Sequence, residues 1–588
     1  MKRLASLFLL LGLAACGSNG ADADPGTGTV SLVLTDSATD ELTQFEVDVR
    51  DIEFTRAGGG RVSVMPRTQR IDFLQLDSVG ELVAARNLPA GFYQRIDLTL
   101  DFAGAEVLIA GQTTPATVLD QQGNTITGEV AVQIDLPTGA RPRARAATGH
   151  LFLLDLDLDQ SLAVDAGNNT VTFSPVFSVE ADPSAPRPIT TTGVLDSVDL
   201  NALTFAVQRR AADGTIVNTF TVATDSSTVF QIDGVVAIGA PGLGGLAGAI
   251  GERVFVQGTF DAQALVLSAV AVEAGAGVPG NGQDWVFGPV VARSGGAGVD
   301  ATLTVLGRSH DVGTGAHAYN TSHTITTALA DTLVLRRGEG NSLDTDAVNI
   351  GQLVWVFGDL SGTAMDASAA TGVVRMLPTS IFGVAGGAVA GDTLTLDVAR
   401  FDRRDISAFD FDVSGQVQAD PDAYTVDVTG LATSGITTGS RLRVIGWPNA
   451  VGGSGADATA VTIVGRSAGT QVLLCRWTPA SLTAIDAASS VGQLALDVSG
   501  AATKVVGDGL GPVTLSDSPV PTIEPAASTG FYRIVRDHGV IAYTDFAAFR
   551  SAVLTRVDTI PVARVSALGT FDDSTQQFSA RSIAVVFD

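Results

Sequence analysis

Gly465-Arg466-Ser467-Ala468-Gly469 matches G-x-S-x-G, the pattern in which a serine on a sharp strand-to-helix turn attacks an acyl carbon. Asp486 and His538 follow in the chain order of α/β-hydrolases. Val461-Thr462-Ile463-Val464 supplies a strand before the serine, but Thr470 to Cys475 has a strand's composition where the helix should be. A hydrolase with Ser467 as nucleophile therefore stands as the alternative to a non-enzymatic protein. His310, His317 and His323 are three of five histidines. Zinc sites usually take two ligands roughly two to five residues apart. The spacings here are wider, so the segment reads as a polar, glycine-rich surface loop. Asp155, Asp157 and Asp159 alternate with leucines. On a strand, same-face residues stand ~6.6 Å apart, whereas calcium gathers its oxygens at ~2.3–2.6 Å from one centre. One ion cannot hold all three, and the run reads as a solvated strand face. Asp36, Asp40 and Glu41 read as a loop that could converge on Ca2+, the one cofactor the sequence suggests.

The aromatic pattern is more specific. Trp285-Val286-Phe287-Gly288 and Trp355-Val356-Phe357-Gly358 are the same tetrapeptide twice. On a strand, Trp and Phe share one face and Val takes the other. If the two strands are neighbours, Trp285, Phe287, Trp355 and Phe357 form one aromatic patch outside the fold. Such a surface stacks on sugars or bases, or packs against a neighbouring unit.

These residues sit in a chain built almost wholly of strand-like runs. Val30 to Leu34, Glu46 to Arg50 and Ile96 to Leu100 alternate with period two, and Gly, Asp, Asn and Pro cut the runs. With 66 Gly and 22 Pro in 588 residues, long helices are excluded. Asp545 to Leu554 and Leu243 to Ile250 are the candidate helices. A hydrophobic content of 45% is too high for an acidic disordered chain. The net charge of −27 repels phosphate backbones, so no nucleic-acid partner is expected. The expected class is all-β: an N-terminal β-sandwich followed by several small OB-like β-barrels in tandem.

Lys2 and Arg3 precede the apolar run Leu4 to Leu13, which is too short to span a bilayer. Leu13-Ala14-Ala15-Cys16 follows, and it resembles the lipobox of a bacterial lipoprotein signal. The resemblance implies cleavage before Cys16 and a lipid on its thiol. Gly17 in place of Asp then favours the outer membrane. Cys475 is the one other cysteine and reads as a small buried hydrophobe.

Ser31-Leu32-Val33-Leu34-Thr35-Asp36, Leu88-Pro89-Ala90-Gly91-Phe92-Tyr93, Leu156 to Ser161 and Pro175 to Val179 occur in an order that resembles the bacterial domain of unknown function four-three-eight-two. That resemblance implies a lipoprotein β-sandwich with no established activity. Beyond it a degenerate repeat recurs, clearest in Val254-Phe255-Val256-Gln257-Gly258, Val354 to Gly358 and Leu442 to Gly446. These units resemble the repeat family of unknown function five-six-six-six. The expected organisation is a signal peptide at 1–15, a lipidated tether at 16–28 and the sandwich at 29–182. Barrels follow at 189–275, 284–377, 378–465 and, more divergent, 470–588. The function expected is that of an envelope lipoprotein anchored in a membrane. It would bind a polysaccharide or protein ligand, or act as a passive scaffold.

Overall fold

The computed structural model describes residues 26–588, except 38, 40, 66, 77–78, 184–187, 212, 370, 466–470, 487–488, 508–512 and 528–529. The described chain is all-β, with three α-helices, at Leu158–Ser161, Ala240–Leu246 and Phe546–Val557. The last starts where Asp545 caps it by accepting from the Ala548 amide.

The N-terminal unit is a pair of packed sheets. One contains Phe177–Ala181, Gly149–Asp157, Thr27–Ser37 and Gly80–Pro89 in that order. The other contains Arg61–Met65, Leu42–Arg56, Gly91–Ile109 and Glu129–Asp135. Alternation turns Val30, Leu32 and Leu34 towards Val47, Val49, Phe54 and Leu98 between the sheets. The opposite face of the first sheet is also covered. Val33, Leu82, Leu151 and Leu153 pack with Ile189, Leu195 and Phe205 of the next unit. A sheet buried on both faces needs near-continuous apolar strands, which accounts for Leu151-Phe152-Leu153-Leu154. Asp157 corrects the expected solvated face. The strand ends there, Asp157 is buried, and its carboxylate caps Leu158–Ser161 by accepting from the Gln160 amide at 2.9 Å.

Four closed units follow, each with its first strand hydrogen-bonded antiparallel to a late strand. Ile189–Asp199 closes on Arg253–Asp261, Asp284–Ser294 on Leu353–Ser361, Thr379–Ala385 on Arg441–Pro448, and Gln471–Ser481 on Val562–Asp572. The repeated glycines do not end their strands. Gly258, Gly446 and Gly569 sit mid-strand at register shifts, and Gly358 lies mid-strand too. A Cβ at these positions would lie well inside van der Waals contact of the backbone oxygens of Ser268, Thr459, Ser579 and, for Gly358, Asp366. Glycine is required because two backbones approach closely.

The N-terminal sandwich is joined to both ends of the barrel array. Its edge strand Gly80–Pro89 pairs with Ile189–Asp199, and its other edge strand Glu129–Asp135 pairs in parallel with Gly539–Tyr543 of the last unit. Both pairings are short, joining Gly80 and Glu81 to Ile189 and Thr190, and Gln133 to Asp135 to Gly539 to Ile541.

Candidate functional site

The two aromatic tetrapeptides are cross-strand neighbours. Trp285 stands opposite Phe357, and Phe287 opposite Trp355. The next strand of the same unit, Thr302–Asp311, places His310 opposite Trp285 and Arg308 opposite Phe287. Ala316–Thr326 then places His317 opposite His310. A row of Phe357, Trp285, His310 and His317 thus runs beside a row of Trp355, Phe287 and Arg308. The rings touch: Phe287–Trp355 centroids are 4.5 Å apart, Trp285–Trp355 4.8 Å and His310–His317 4.2 Å. These separations are those of favourable aromatic pairs. The valines between them point inward, and Val286 and Val356 are fully buried, as is Val256 of the unit before and Val444 of the unit after. Phe255, Trp355 and Arg443 occupy the partly exposed face in those three units.

Exposure is uneven along the rows. Trp285, Phe287 and Trp355 are half-buried, whereas Phe357 is fully covered and packs with Leu335, Val373 and Val236 of the preceding unit. Phe357 is therefore part of a seam between units and not of an open patch. Arg308 lies over the rings of Trp285, Phe287 and Trp355 at 5.3–5.9 Å and reaches Asp72 of the sandwich at 3.3 Å. Burial pushes the Asp72 carboxyl up, and Arg308 pulls it back. Beside His317 stands Tyr319, whose phenol is pushed up by burial and by the carboxylates of Glu106 and Glu46. Gln44 Nε2 donates to both of these carboxylates, at 2.9 and 2.8 Å. Burial lowers His317. The arrangement is a half-open aromatic ladder with two imidazoles at one end and acid from the sandwich along its rim. It offers stacking and hydrogen bonding, the means by which a neutral polar polymer is held.

The histidines form a hairpin and not a loop. His323, on the second strand, is fully buried with both ring nitrogens unpartnered, and burial lowers its pKa. Among the described residues, no group of three or more His, Cys, Asp or Glu side chains is placed to hold a metal ion. Asp36 lies in the strand Thr27–Ser37 and not in a loop; it is buried, and its Oδ1 accepts from the Leu158 amide at 3.3 Å. Glu41 is exposed at the bend before Leu42–Arg56, and Asp40 is outside the described residues. Cys16 and Ser467 are outside them as well. Of the serine's proposed partners, His538 sits in the tight turn between Phe531–Arg536 and Gly539–Tyr543, where its carbonyl accepts from Gln133, and Asp486 is exposed in a loop. Cys475 is buried, which pushes its thiol up to about 12 and makes it a poor nucleophile. No described helix is long and apolar enough to cross a membrane.

Sequence reasoning missed the rim. Arg308, Tyr319, Glu46 and Glu106 come from strands far apart in the chain, and only the docking of the barrel on the sandwich unites them.

Fold and site together define an all-β protein in which a two-sheet sandwich carries a tandem array of small barrels. Residues 27–175 match the family described as Domain of unknown function (DUF4382). That match covers the sandwich up to its last strand, Phe177–Ala181, and stops before the barrels. No curated protein matches the chain.

Proposed function

We propose that the protein is a lipid-anchored component of the bacterial cell envelope, held through Cys16, that binds a polysaccharide or protein ligand without chemical turnover. The observation that carries the reading is the aromatic ladder of Trp285, Phe287 and Trp355, half-exposed at the seam with the sandwich and rimmed by Glu46 and Glu106. The net charge of −27 favours neutral polymers over nucleic acid as what such rings would stack on. The test presents the intact chain to a glycan array and to cell-wall and exopolysaccharide fractions, beside a Trp355→Ala variant. Binding weakened about tenfold or more in the variant supports the reading, since stacked aromatic contacts contribute roughly 1 kcal/mol each and interface hot spots more. No binding to any fraction, or equal binding by the variant, overturns it.

One observation favours a second reading, a passive scaffold. Arg308 already covers three of the rings and ties them to Asp72. In-cell crosslinking that finds envelope proteins at this seam, with no glycan binding, selects the scaffold. The anchor is tested separately: Cys16→Ser should shift the protein from the membrane fraction to the soluble one. A variant that still pellets after a salt wash removes the anchor from the reading.

A further inference from the structure

A cavity of about 430 Å³ lies where the sandwich meets the last barrel, far along the chain from the aromatic ladder. This volume falls within the range of small-molecule sites. Its walls come from Leu119 to Gly123, Thr172 and Ser174 on the sandwich side, and from Arg476 to Ala480, Ala563 and Arg564 on the barrel side. The opening has a local cause. Gln471–Ser481 and Val562–Asp572 run as an antiparallel ladder up to the pair Arg476 and Arg564, and the ladder resumes only at Ser481 and Val562. Four residues, Trp477 to Ala480, face the single residue Ala563, and the excess chain bulges outward.

Two arginines therefore stand directly opposite each other in the lining of the cavity, an arrangement that is unfavourable for like charges. Arg564 is 3% exposed, its Nη2 donates to the Ser174 carbonyl at 3.3 Å, and its Nε is buried without a partner. Both amide atoms of Gln121, on the opposite wall, are also buried without partners. Among the described residues, neither guanidinium forms an ion pair. The field of Asp157 reaches Arg564 and that of Arg476 reaches Asp165, but among the described residues neither carboxylate forms an ion pair with the two arginines. Asp120 and Asp588 also line the cavity, but Asp120 spends its carboxylate on Gln122 and Asn124 of its own turn. A chain with 62 acidic and 35 basic residues has no shortage of carboxylates. Leaving a buried guanidinium uncompensated is costly, and burial together with the Arg476 charge pushes Arg564 down to about 9.

We propose that this cavity binds a small organic anion. Its carboxylate or phosphate head is held between Arg476 and Arg564 and hydrogen-bonded by Gln121, and its apolar body lies against Ala163, Pro479 and Val586. Guanidinium groups are suited to such oxyanions because their parallel N–H groups match two oxygens at once. The site is independent of the aromatic ladder, and either reading can fail without the other.

The test is calorimetric titration of the intact chain at fixed ionic strength in chloride. Phenyl phosphate and benzoate serve as full probes, inorganic phosphate and acetate as head-only probes. Arg476→Gln and Arg564→Met are run in parallel, with thermal unfolding of each to verify the fold. The expected result is saturable binding of at least one full probe, with the better of the two identifying the head. Each variant should weaken it roughly tenfold or more, the loss expected for a charge-assisted hydrogen bond. Arg564→Met should also keep or raise the unfolding midpoint in the absence of anion, which a purely structural arginine would not do. No binding of any probe by the wild type, or binding unchanged in both variants, overturns the site. Inorganic phosphate binding as well as phenyl phosphate overturns the part of the proposal that concerns the apolar body.

Discussion

Two junctions between units bury arginine, and they treat it in opposite ways. Where the first barrel meets the second, Glu273 is 1% exposed and receives Arg337 in a bidentate contact at 2.6 and 3.0 Å, with Arg375 at 3.2 Å. Arg375 also donates to the Gly277 carbonyl and to Gln231, and Arg337 lies 4.0 Å over the Phe255 ring. Burial pushes the Glu273 carboxyl up, but the two arginines more than reverse this and hold it below the usual range. Where the sandwich meets the last barrel, Arg533 donates to Gln160 and Ser582, which are neutral, and Arg564 and Arg476 face each other. The carboxylate nearby, Asp157, binds Gln160 instead and is pushed up to about 6, mainly by burial. The same side chain is thus a closed staple in one seam and an open demand for charge in the other. Net charge predicts neither; the local partner decides.

The largest effect should come from breaking the closed junction. Glu273→Ala leaves Arg375, itself 1% exposed, buried without its counter-charge, a loss of about 3–5 kcal/mol. Urea unfolding of the intact chain followed by probes in the first two barrels measures it. A loss under about 1 kcal/mol would erase the contrast between the seams.

Acid should separate the two seams by sign. Asp157 takes up a proton on folding between about 4 and 6, so its contribution to stability is fully present below about 4 and is lost as pH rises through about 6. The difference is at most about 3 kcal/mol. Glu273 has the reverse sign: its contribution is present above its unfolded value and is lost as pH falls below about 4.5. Hydrogen exchange, corrected for intrinsic rates, should show peptides around Asp157 and Arg533 better protected at pH 5 than at pH 7. Peptides around Glu273 should be unchanged over that interval. Equal trends at both seams would show that a global effect, not these carboxylates, sets the response.

Trp355→Ala should cost the fold only about 1–2 kcal/mol, because the ring is half-exposed and its losses are aromatic and cation–π contacts. Thermal unfolding checks this, and a much larger loss would mark the ladder as core. The smallest change belongs to Arg564→Met, expected between no effect and a slight gain without anion. If it destabilised as much as Glu273→Ala, the two junctions would be alike after all.

The alternation of Val30 to Leu34 and of Trp355-Val356-Phe357 made the strand class and the inward face of Val356 readable, because period two is a property of neighbours in sequence. The same cue misled at Asp157. Alternation with leucine put it on a solvated face, whereas Asp157 and Gln160 form a helix-start pair, the acid capping the Gln160 amide and the Gln160 side chain reaching back to it at 2.5 Å. The spacing of an acid and a glutamine three residues on was the available signal. The histidines depart from a surface loop for a related reason: Asp311 accepts from Thr314 and closes a turn, so the glycine-rich stretch is the short tip of a hairpin. Nothing in the sequence pairs Arg476 with Arg564, which lie 88 residues apart on strands that meet only when the last barrel closes, or brings Glu106 beside Tyr319, a contact made by docking between units.

The pairing of Glu129–Asp135 with Gly539–Tyr543 also sets a timetable. The second strand is synthesised about 400 residues after the first. At roughly 5–20 residues per second, the sandwich waits tens of seconds for its last strand. During that interval Gln133, Ile134 and Asp135 sit on an open sheet edge, a template for any strand that passes. A chain cut short anywhere before Gly539 keeps that edge open for good, so quality control acting on this protein has a single late event by which to tell finished molecules from unfinished ones.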